Sequence, residues 1–391
     1  MAAPKIRPRQ VALIINTVNA FDRNVIRGIA AYVQCHSHWS LYVEENPLDK
    51  LPDLHSWNGN GIIANFDDPK VSNSVNNLQI PVVAFGGSYG LDQANSRIPY
   101  VSKDNAGVAR LAAEHLLERG FQHFAYCGFP TNHSNGWSKE RADAFHKVVT
   151  NAGFDCSVFT GRHSTPRKWV ELQRELGDWI GSLTKPVGLM ACNDSRARHV
   201  LEACSKVSAR VPEDVAVIGV DNDEIICELA QPSLTSVDQG ARKIGYESAR
   251  VLDRLMSGKK VAKLNHIVSP GEIITRRSTD TLAVDDLEVL HALQMIRSAP
   301  PSELQIQDVL TAVAVSRSTL ENRFKAVMGH TIHDEIQNQR IVRAKFLIAS
   351  TEMPLKHVAR EVGCTTVQYF TSLFRRHSGQ TPADYRRKHR V

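Results

Sequence analysis

The sequence predicts a two-lobed α/β unit built on parallel sheets, followed by an all-α domain with two helix-turn-helix motifs. Three observations carry that expectation. Short apolar runs alternate with amphipathic stretches from residue 10 onward, in two successive series. The alternation stops at RRSTDTLAVDD (276–286), after which the pattern is helical. Positive charge is concentrated at the end of the chain: residues 297–391 hold 15 Lys and Arg against 8 Asp and Glu, so the net +6 of the whole belongs to that tail. At 391 residues with 42% hydrophobic, the chain can bury substantial cores and is long for one domain, so two or three are expected.

In the first series QVALIINTV (10–18) reads as a buried strand, and 21–35 as a helix with Val25, Ile29 and Tyr32 at helical spacing. WSLYVEEN (39–46), GNGIIANF (59–66) and IPVVAFGG (80–87) read as strands, and 104–120 as a helix closed by Gly120. The second series runs strand 123–129, helix 138–153, strand 188–193, helix 194–207 and strand 215–222. Such βα repetition implies parallel sheets covered on both faces, and two series of similar build imply two lobes with a cleft between them.

Beyond the break, 305–329 and 355–379 each show a short amphipathic helix, a tight break, and a second helix that opens with Ser or Thr and ends in a basic turn at Gly329 or Gly379. A connecting helix at 333–350 can hold the two units rigidly. Leu320, Phe324, Phe370 and Phe374 are expected in the small core, with Gly363 permitting a turn. That leaves Arg317, Ser318, Glu321, Asn322 and Arg323 on the first second-helix, and Thr365, Thr366, Gln368, Tyr369 and Thr371 on the other, to reach base edges or phosphates. Lys325, Arg375 and Arg376 suit phosphates. Two such helices on one chain can enter successive major grooves about 10 bp apart.

In open α/β sheets ligands sit beyond the carboxyl ends of the strands. Asp67 and Asp68, Asn193 and Asp194, and Asp221 follow strands there, while Trp137 and Phe21 offer aromatic faces. Carboxylates, amides and aromatic faces together suit a sugar, whose hydroxyls donate and accept and whose C–H face stacks on a ring. Bland roles compete: Asp68 or Asp194 as helix caps, Trp137 as core.

Other classes find little support. The apolar runs fall short of the roughly 20 residues a membrane helix needs, and the N-terminal segment shows no small-residue cleavage site, so a cytoplasmic, nucleoid-associated protein is expected. Seven cysteines are scattered without a C-x-x-C pair, and His36 and His38 have no third ligand nearby in sequence, so neither a metal nor a disulfide framework is expected. No G-x-S-x-G elbow, P-loop, G-x-G-x-x-G or Cys/His arrangement is expected to mark an enzyme.

Four blocks, VSKDNAGVARLAAEHLLERGFQHFAYCG, W-x-x-x-R-x-x-x-F at 137–145, ACNDSRARHVLEAC, and VPEDVAVIGVDNDE with PSLTSVDQGARKIGYESARVLDRLMSG, resemble the sugar-sensing core of LacI-type regulators and periplasmic sugar-binding proteins over residues 8–277. The resemblance implies a periplasmic-binding-protein-like fold and ligand contacts at Arg141, Asp221 and Gln239. The headpiece that LacI-type regulators place before this core has no counterpart in the sequence, so a DNA-binding element is expected elsewhere. It is supplied by the second resemblance. Val358, Ala359, Val362, Gly363, Tyr369, Phe370, Phe374, Gly379, Thr381, Pro382, Tyr385 and Arg386 stand at the spacing of the AraC-type signature.

The expected division is thus a sensor over 1–277, with crossings between lobes near 120, 238 and 260, a linker over 278–286, and a DNA-binding domain over 287–391. The combined resemblance implies a sugar-responsive activator with D-xylose as effector and no cofactor, acting as a homodimer on tandem promoter sites in double-stranded DNA and meeting RNA polymerase. Another sugar, repression, and a sugar-processing enzyme with a DNA-binding tail stay open at this point.

Overall fold

The aliphatic run RQVALI becomes β1 (Arg9–Ile14), buried from Val11 onward, as a central parallel strand with both faces covered must be. The computed structural model describes residues 8–36, 38–44, 54–75, 78–86, 98–130, 135–163, 165–261, 264–280, 286–351 and 353–389. Two units divide the chain, Met1–Ala283 and Val284–Val391.

The first unit holds two six-stranded sheets among the described residues. Lobe 1 contains β1, α1 (Ala20–His36), β2 (Trp39–Glu44), β3 (Gly61–Asn65), α2 (Pro69–Ser74), β4 (Val82–Gly86) and β5 (Tyr100–Lys103). Lobe 2 contains α3 (Asn105–Leu117), β6 (His123–Cys127), α4 (Gly136–Asn151), β7 (Cys156–Phe159), α5 (Trp169–Ser182), β8 (Val187–Ala191), α6 (Asp194–Lys206), β9 (Val215–Val220), α7 (Glu224–Leu229) and β10 (Thr235–Val237). The chain then returns to lobe 1 for α8 (Ala241–Met256) and β11 (Asn265–Val268), and ends in lobe 2 with β12 (Ile273–Ile274).

The strand orders are β11-β5-β4-β3-β1-β2 and β12-β10-β9-β8-β6-β7. All pairings are parallel except β10 with β12. Each sheet therefore reverses its winding once, between β1 and β3 in lobe 1 and between β6 and β8 in lobe 2. Loops diverge at such a switch point and leave a crevice at the carboxyl edge. Both crevices belong to one cavity.

Two of the three expected crossings lie elsewhere. Helix α3 follows β5 in sequence but packs against α4, β8, β9 and β10, so the first crossing is at Lys103–Asn105 rather than near 120. The third is at 269–272, between β11 and β12, rather than near 260. The middle one, 238–240 between β10 and α8, is where the sequence places it.

Lobe 1 is closed by α1 lying directly on α8. A Cβ at Gly28 would fall 2.0 Å from the Arg242 carbonyl oxygen, and one at Gly245 would fall 1.9 Å from that of Val25. Backbone meets backbone there, and only glycine fits.

The sensor extends further than its expected end. Ser278 and Thr279 are fully buried in lobe 2. Ser278 Oγ donates to the Val217 carbonyl at 2.6 Å and accepts from the Thr235 N–H at 2.8 Å. Thr279 Oγ1 donates to Thr235 Oγ1, also at 2.8 Å, and Arg119 Nε donates to the Thr279 carbonyl at 2.9 Å. Residues 281–285 of the expected linker lie outside the described residues.

The second unit is helical: α9 (Leu287–Ser298), α10 (Ile306–Ala312), α11 (Arg317–Met328), α12 (Ile332–Ser350), α13 (Leu355–Glu361), α14 (Val367–Ser378) and α15 (Pro382–His389). Its start and stop signals are local. Gln305 with Asp308 and Thr331 with Asp334 form capping boxes, Ser316 and Thr366 cap α11 and α14, and Gly329 and Gly379 end those helices in the left-handed region. Gly363 also has positive φ, and a Cβ there would lie 2.7 Å from the Pro301 carbonyl oxygen. Phe370, Phe374, Val358, Val362, Ile341 and Ile348 share one core, with Leu320 and Phe324 buried in the other half.

Candidate functional site

The cavity between the lobes has a volume of about 520 Å³, within the usual range for small-molecule sites. All eight residues expected at a ligand site line it: Phe21, Asp67, Asp68, Trp137, Arg141, Asn193, Asp221 and Gln239. They come from six different segments, each delivered by the carboxyl end of a strand or the start of a helix.

Arg141, on α4, is 1% exposed and organises the lobe 2 side. Its Nε donates to Asn105 Oδ1 at 3.1 Å, Nη1 to the Cys192 carbonyl at 2.6 Å, and Nη2 to Gln239 Oε1 at 2.6 Å. Its guanidinium lies 4.9 Å from the Trp137 ring centre. Gln239 passes the chain on by donating to Asp221. Burial pushes the Asp221 carboxyl up to about 6, against the lowering pull of Arg141 and Lys103.

Asp221 and Asn222 both have positive φ, at 116° and 48°, which side-chain-bearing residues rarely adopt. Surrounding bonds hold that geometry. The Asp221 N–H donates to the Val237 carbonyl at 3.1 Å, the Asn222 N–H to Ser236 Oγ at 3.0 Å, and Arg276 Nη2 to Asn222 Oδ1 at 2.9 Å. Strain so over-determined is typical of a ligand clamp.

The lobe 1 side is centred on Lys103, the last residue of β5. Its ammonium pairs with Asp67 Oδ2 at 3.1 Å and sits 4.2 Å from the Phe21 ring centre and 5.6 Å from that of Trp137. Lys103 therefore touches both lobes. Beside it Asp22 is buried, accepting from Asn65 Nδ2 at 2.8 Å. Burial, then the nearby Asp67 charge, push Asp22 up to about 7.

Some expected roles divide. Asp68 caps α2 by accepting from the Lys70 N–H at 2.8 Å, and Asn193 caps α6 by accepting from the Arg196 N–H at 2.9 Å, so both serve the fold as well as the cavity wall. Asp194 is not that cap. It is buried beneath the loop after β9, accepting from Ser236 Oγ at 2.6 Å and from the Asp223 N–H at 2.8 Å, and burial raises its carboxyl well above the usual range. Lys103, Asp22, Asn65, Asn16 and Asn19 also line the cavity without having been singled out in the sequence. Asn65 and Lys103 close β3 and β5, so the strand-end rule applied to the final strand residue would have found them.

The expected absence of a nucleophile-elbow spacing does not hold for this sequence. Gly86-Gly87-Ser88-Tyr89-Gly90 has the G-x-S-x-G spacing of a hydrolase nucleophile elbow, although residues 87–97 lie outside the described residues.

In the second unit, Leu320, Phe324, Phe370 and Phe374 are buried, leaving the opposite faces of α11 and α14 exposed. Arg317, Ser318, Asn322, Arg323 and Lys325 are exposed on α11, with Gln368, Tyr369, Arg375 and Arg376 on α14. Glu321 is half-buried and pairs with Arg317 at 2.9 Å, and Arg323 reaches Asp286 at 3.5 Å. Thr366 is spent as the N-cap, accepting from the Tyr369 N–H at 3.1 Å; Thr365 precedes the helix, and Thr371 Oγ1 donates back to the Val367 carbonyl at 2.8 Å. Gln368 and Tyr369 are therefore the first free side chains of that helix.

Comparison with known proteins agrees with this layout. The XylR N-terminal domain family matches residues 10–106, the periplasmic binding protein-like domain family 113–279, and a helix-turn-helix domain family 309–388. The chain is 35% identical over 378 residues to the xylose operon regulatory protein of Escherichia coli K12, covering 96% of each. It is also 35% identical to that of Haemophilus influenzae, covering 96% of this chain and 98% of the relative. A solved structure of a xylose-binding transcription activator superposes with a TM-score of 0.77 at 34% identity, covering 98% of this chain and 99% of that one. With both the sensor and the paired DNA-reading motifs matched end to end, the chain belongs to the family of xylose operon regulatory proteins.

Proposed function

We propose that this protein is a D-xylose-dependent transcriptional activator whose cleft binds the sugar without turning it over. The observation that carries the reading is the Arg141–Gln239–Asp221 network facing Lys103, Asp67 and Phe21 across one cavity. Asp221, Asn193 and Asp67 are the groups to accept from or donate to sugar hydroxyls. Arg141 is the fork that positions Gln239, and Phe21 and Trp137 form the apolar wall against the C–H face. The similarity to xylose operon regulators supports the choice of pentose.

Sugar contacts drawn from both lobes favour their closed arrangement, which is a population shift limited by the differential affinity for the two states. The exposed faces of α11 and α14 read double-stranded DNA, as a homodimer on tandem promoter sites. Activation then proceeds through RNA polymerase in the cytoplasm, at the nucleoid. No cofactor takes part. Among the described residues no helix is long and apolar enough to cross a membrane.

The test is a thermal-shift titration with D-xylose, L-arabinose, D-ribose and D-glucose, paired with a gel shift on promoter duplex from a xylose operon. D-xylose is expected to raise the melting temperature in step with its concentration over Kd and to increase duplex retention. Indifference to every sugar, or chemical conversion of a bound one, overturns the reading.

A further inference from the structure

The geometry points to Arg23 and Asp223 as a latch across the mouth of the cleft, a device that sets how tightly the lobes hold a bound sugar. The inference rests on the sugar-site reading above. Arg23 lies on α1 in lobe 1, and Asp223 follows β9 in lobe 2, with Arg23 Nη2 at 3.5 Å from Asp223 Oδ2. Among the described residues this is the ion pair that joins the lobes; the others stay within one lobe or within the second unit.

Each partner is fixed in its own lobe. Arg23 Nη1 donates to the carbonyls of Thr17, at 3.2 Å, and Val18, which shapes the loop after β1. Asp223 Oδ1 caps α7 by accepting from the Ile225 N–H at 3.2 Å, and the Asp223 N–H donates to buried Asp194 at 2.8 Å. The ion pair thus ties the β1 loop to the segment that carries Asp221, two residues away. Lobe separation must lengthen it and expose both charges to water.

A neutral sugar has no ionic strength dependence of its own. Any salt dependence of its affinity must come from protein charges whose separation changes on closing. The pair sits at the rim, with side chains 38% and 14% exposed, so its effect on affinity is modest, about two- to fivefold.

The experiment titrates the full chain with D-xylose at low salt and at about 1 M salt, where the screening length falls to about 3 Å, and follows sugar release by stopped flow. We expect the parent to lose about two- to fivefold in affinity at high salt, through faster release. Asp223→Asn keeps the cap and removes the charge. It is expected to show the weaker affinity already at low salt, with a smaller salt response than the parent and an unchanged melting temperature. Arg23→Lys keeps the charge and is expected to retain the salt response. If Asp223→Asn binds D-xylose as tightly as the parent at low salt, or shares its salt dependence, the latch is wrong while the sugar site stands. A parent that binds no pentose at all sinks both.

Discussion

Arg141 Nη2 donates to Gln239 Oε1 at 2.6 Å, which joins α4 in lobe 2 to the segment where the chain crosses back to lobe 1. Since Gln239 donates onward to Asp221, the three side chains form one directional series, and the carboxylate at its end is presented in a fixed orientation.

Replacement of Asp221 by Asn tests the end of that series. Asparagine tolerates positive φ, so the backbone at 116° is retained and the melting temperature should move little. Loss of a charge-assisted bond of about 1.5–3 kcal/mol should weaken D-xylose binding roughly ten- to hundredfold by calorimetry. An unchanged Kd would remove Asp221 from the site.

Gly245→Ala places a methyl group against the Val25 carbonyl. Because the obstacle is backbone, relief requires α1 to move away from α8, and destabilisation at or above about 1–3 kcal/mol is expected. Thermal unfolding measures it, and a variant as stable as the parent would contradict the helix contact.

Asp22, held up to about 7, makes the native state bind a proton that the unfolded chain releases near the ordinary 3.8. Native stability from this group therefore falls as pH rises between those values. His115 acts oppositely, since burial and then Arg119 lower it to about 3, and its effect is lost as pH falls below its ordinary 6.5. The difference between Asp22→Asn and the parent isolates the first term. The variant should gain relative stability from pH 4.5 toward about pH 7 in parallel unfolding curves, and a flat difference would show that Asp22 is ionised throughout.

On α14, capping and reading separate cleanly. Thr366→Ala should cost about 1 kcal/mol of stability through the lost cap. Gln368→Ala should leave melting unchanged and relax base preference, and Arg376→Ala should lower the salt slope of duplex binding by about 1. Equal effects of all three on stability would mean the helix face is misassigned.

Much of the site was legible because parallel strands must deliver their next residues to one edge. Asp67, Asn193 and Asp221 follow from that rule, and Arg141 and Gln239 from the family resemblance. Asp22 escapes because burial of a charged side chain has no sequence signature, and Lys103 because the rule is applied to residues that follow a strand, whereas Lys103 is the last residue of its own. The misplaced crossings have a similar cause. An amphipathic pattern says that α3 covers a sheet, not which sheet, and β10, β11 and β12 are only three, four and two residues long. The tandem helical units were easier, since caps at Ser316 and Gly329 and the turn at Gly363 are local chemistry. Only the choice between Thr365 and Thr366 as the second cap needs coordinates.

Ser278 and Thr279 give the sensor a defined exit. Because both are bolted into β9, β10 and α3, the covalent road to the downstream half leaves from lobe 2 alone. For anyone building chimaeras, the natural splice point lies after Asp280. A cut a few residues earlier would pull the mooring pins from the plate that every grafted cargo must hang on.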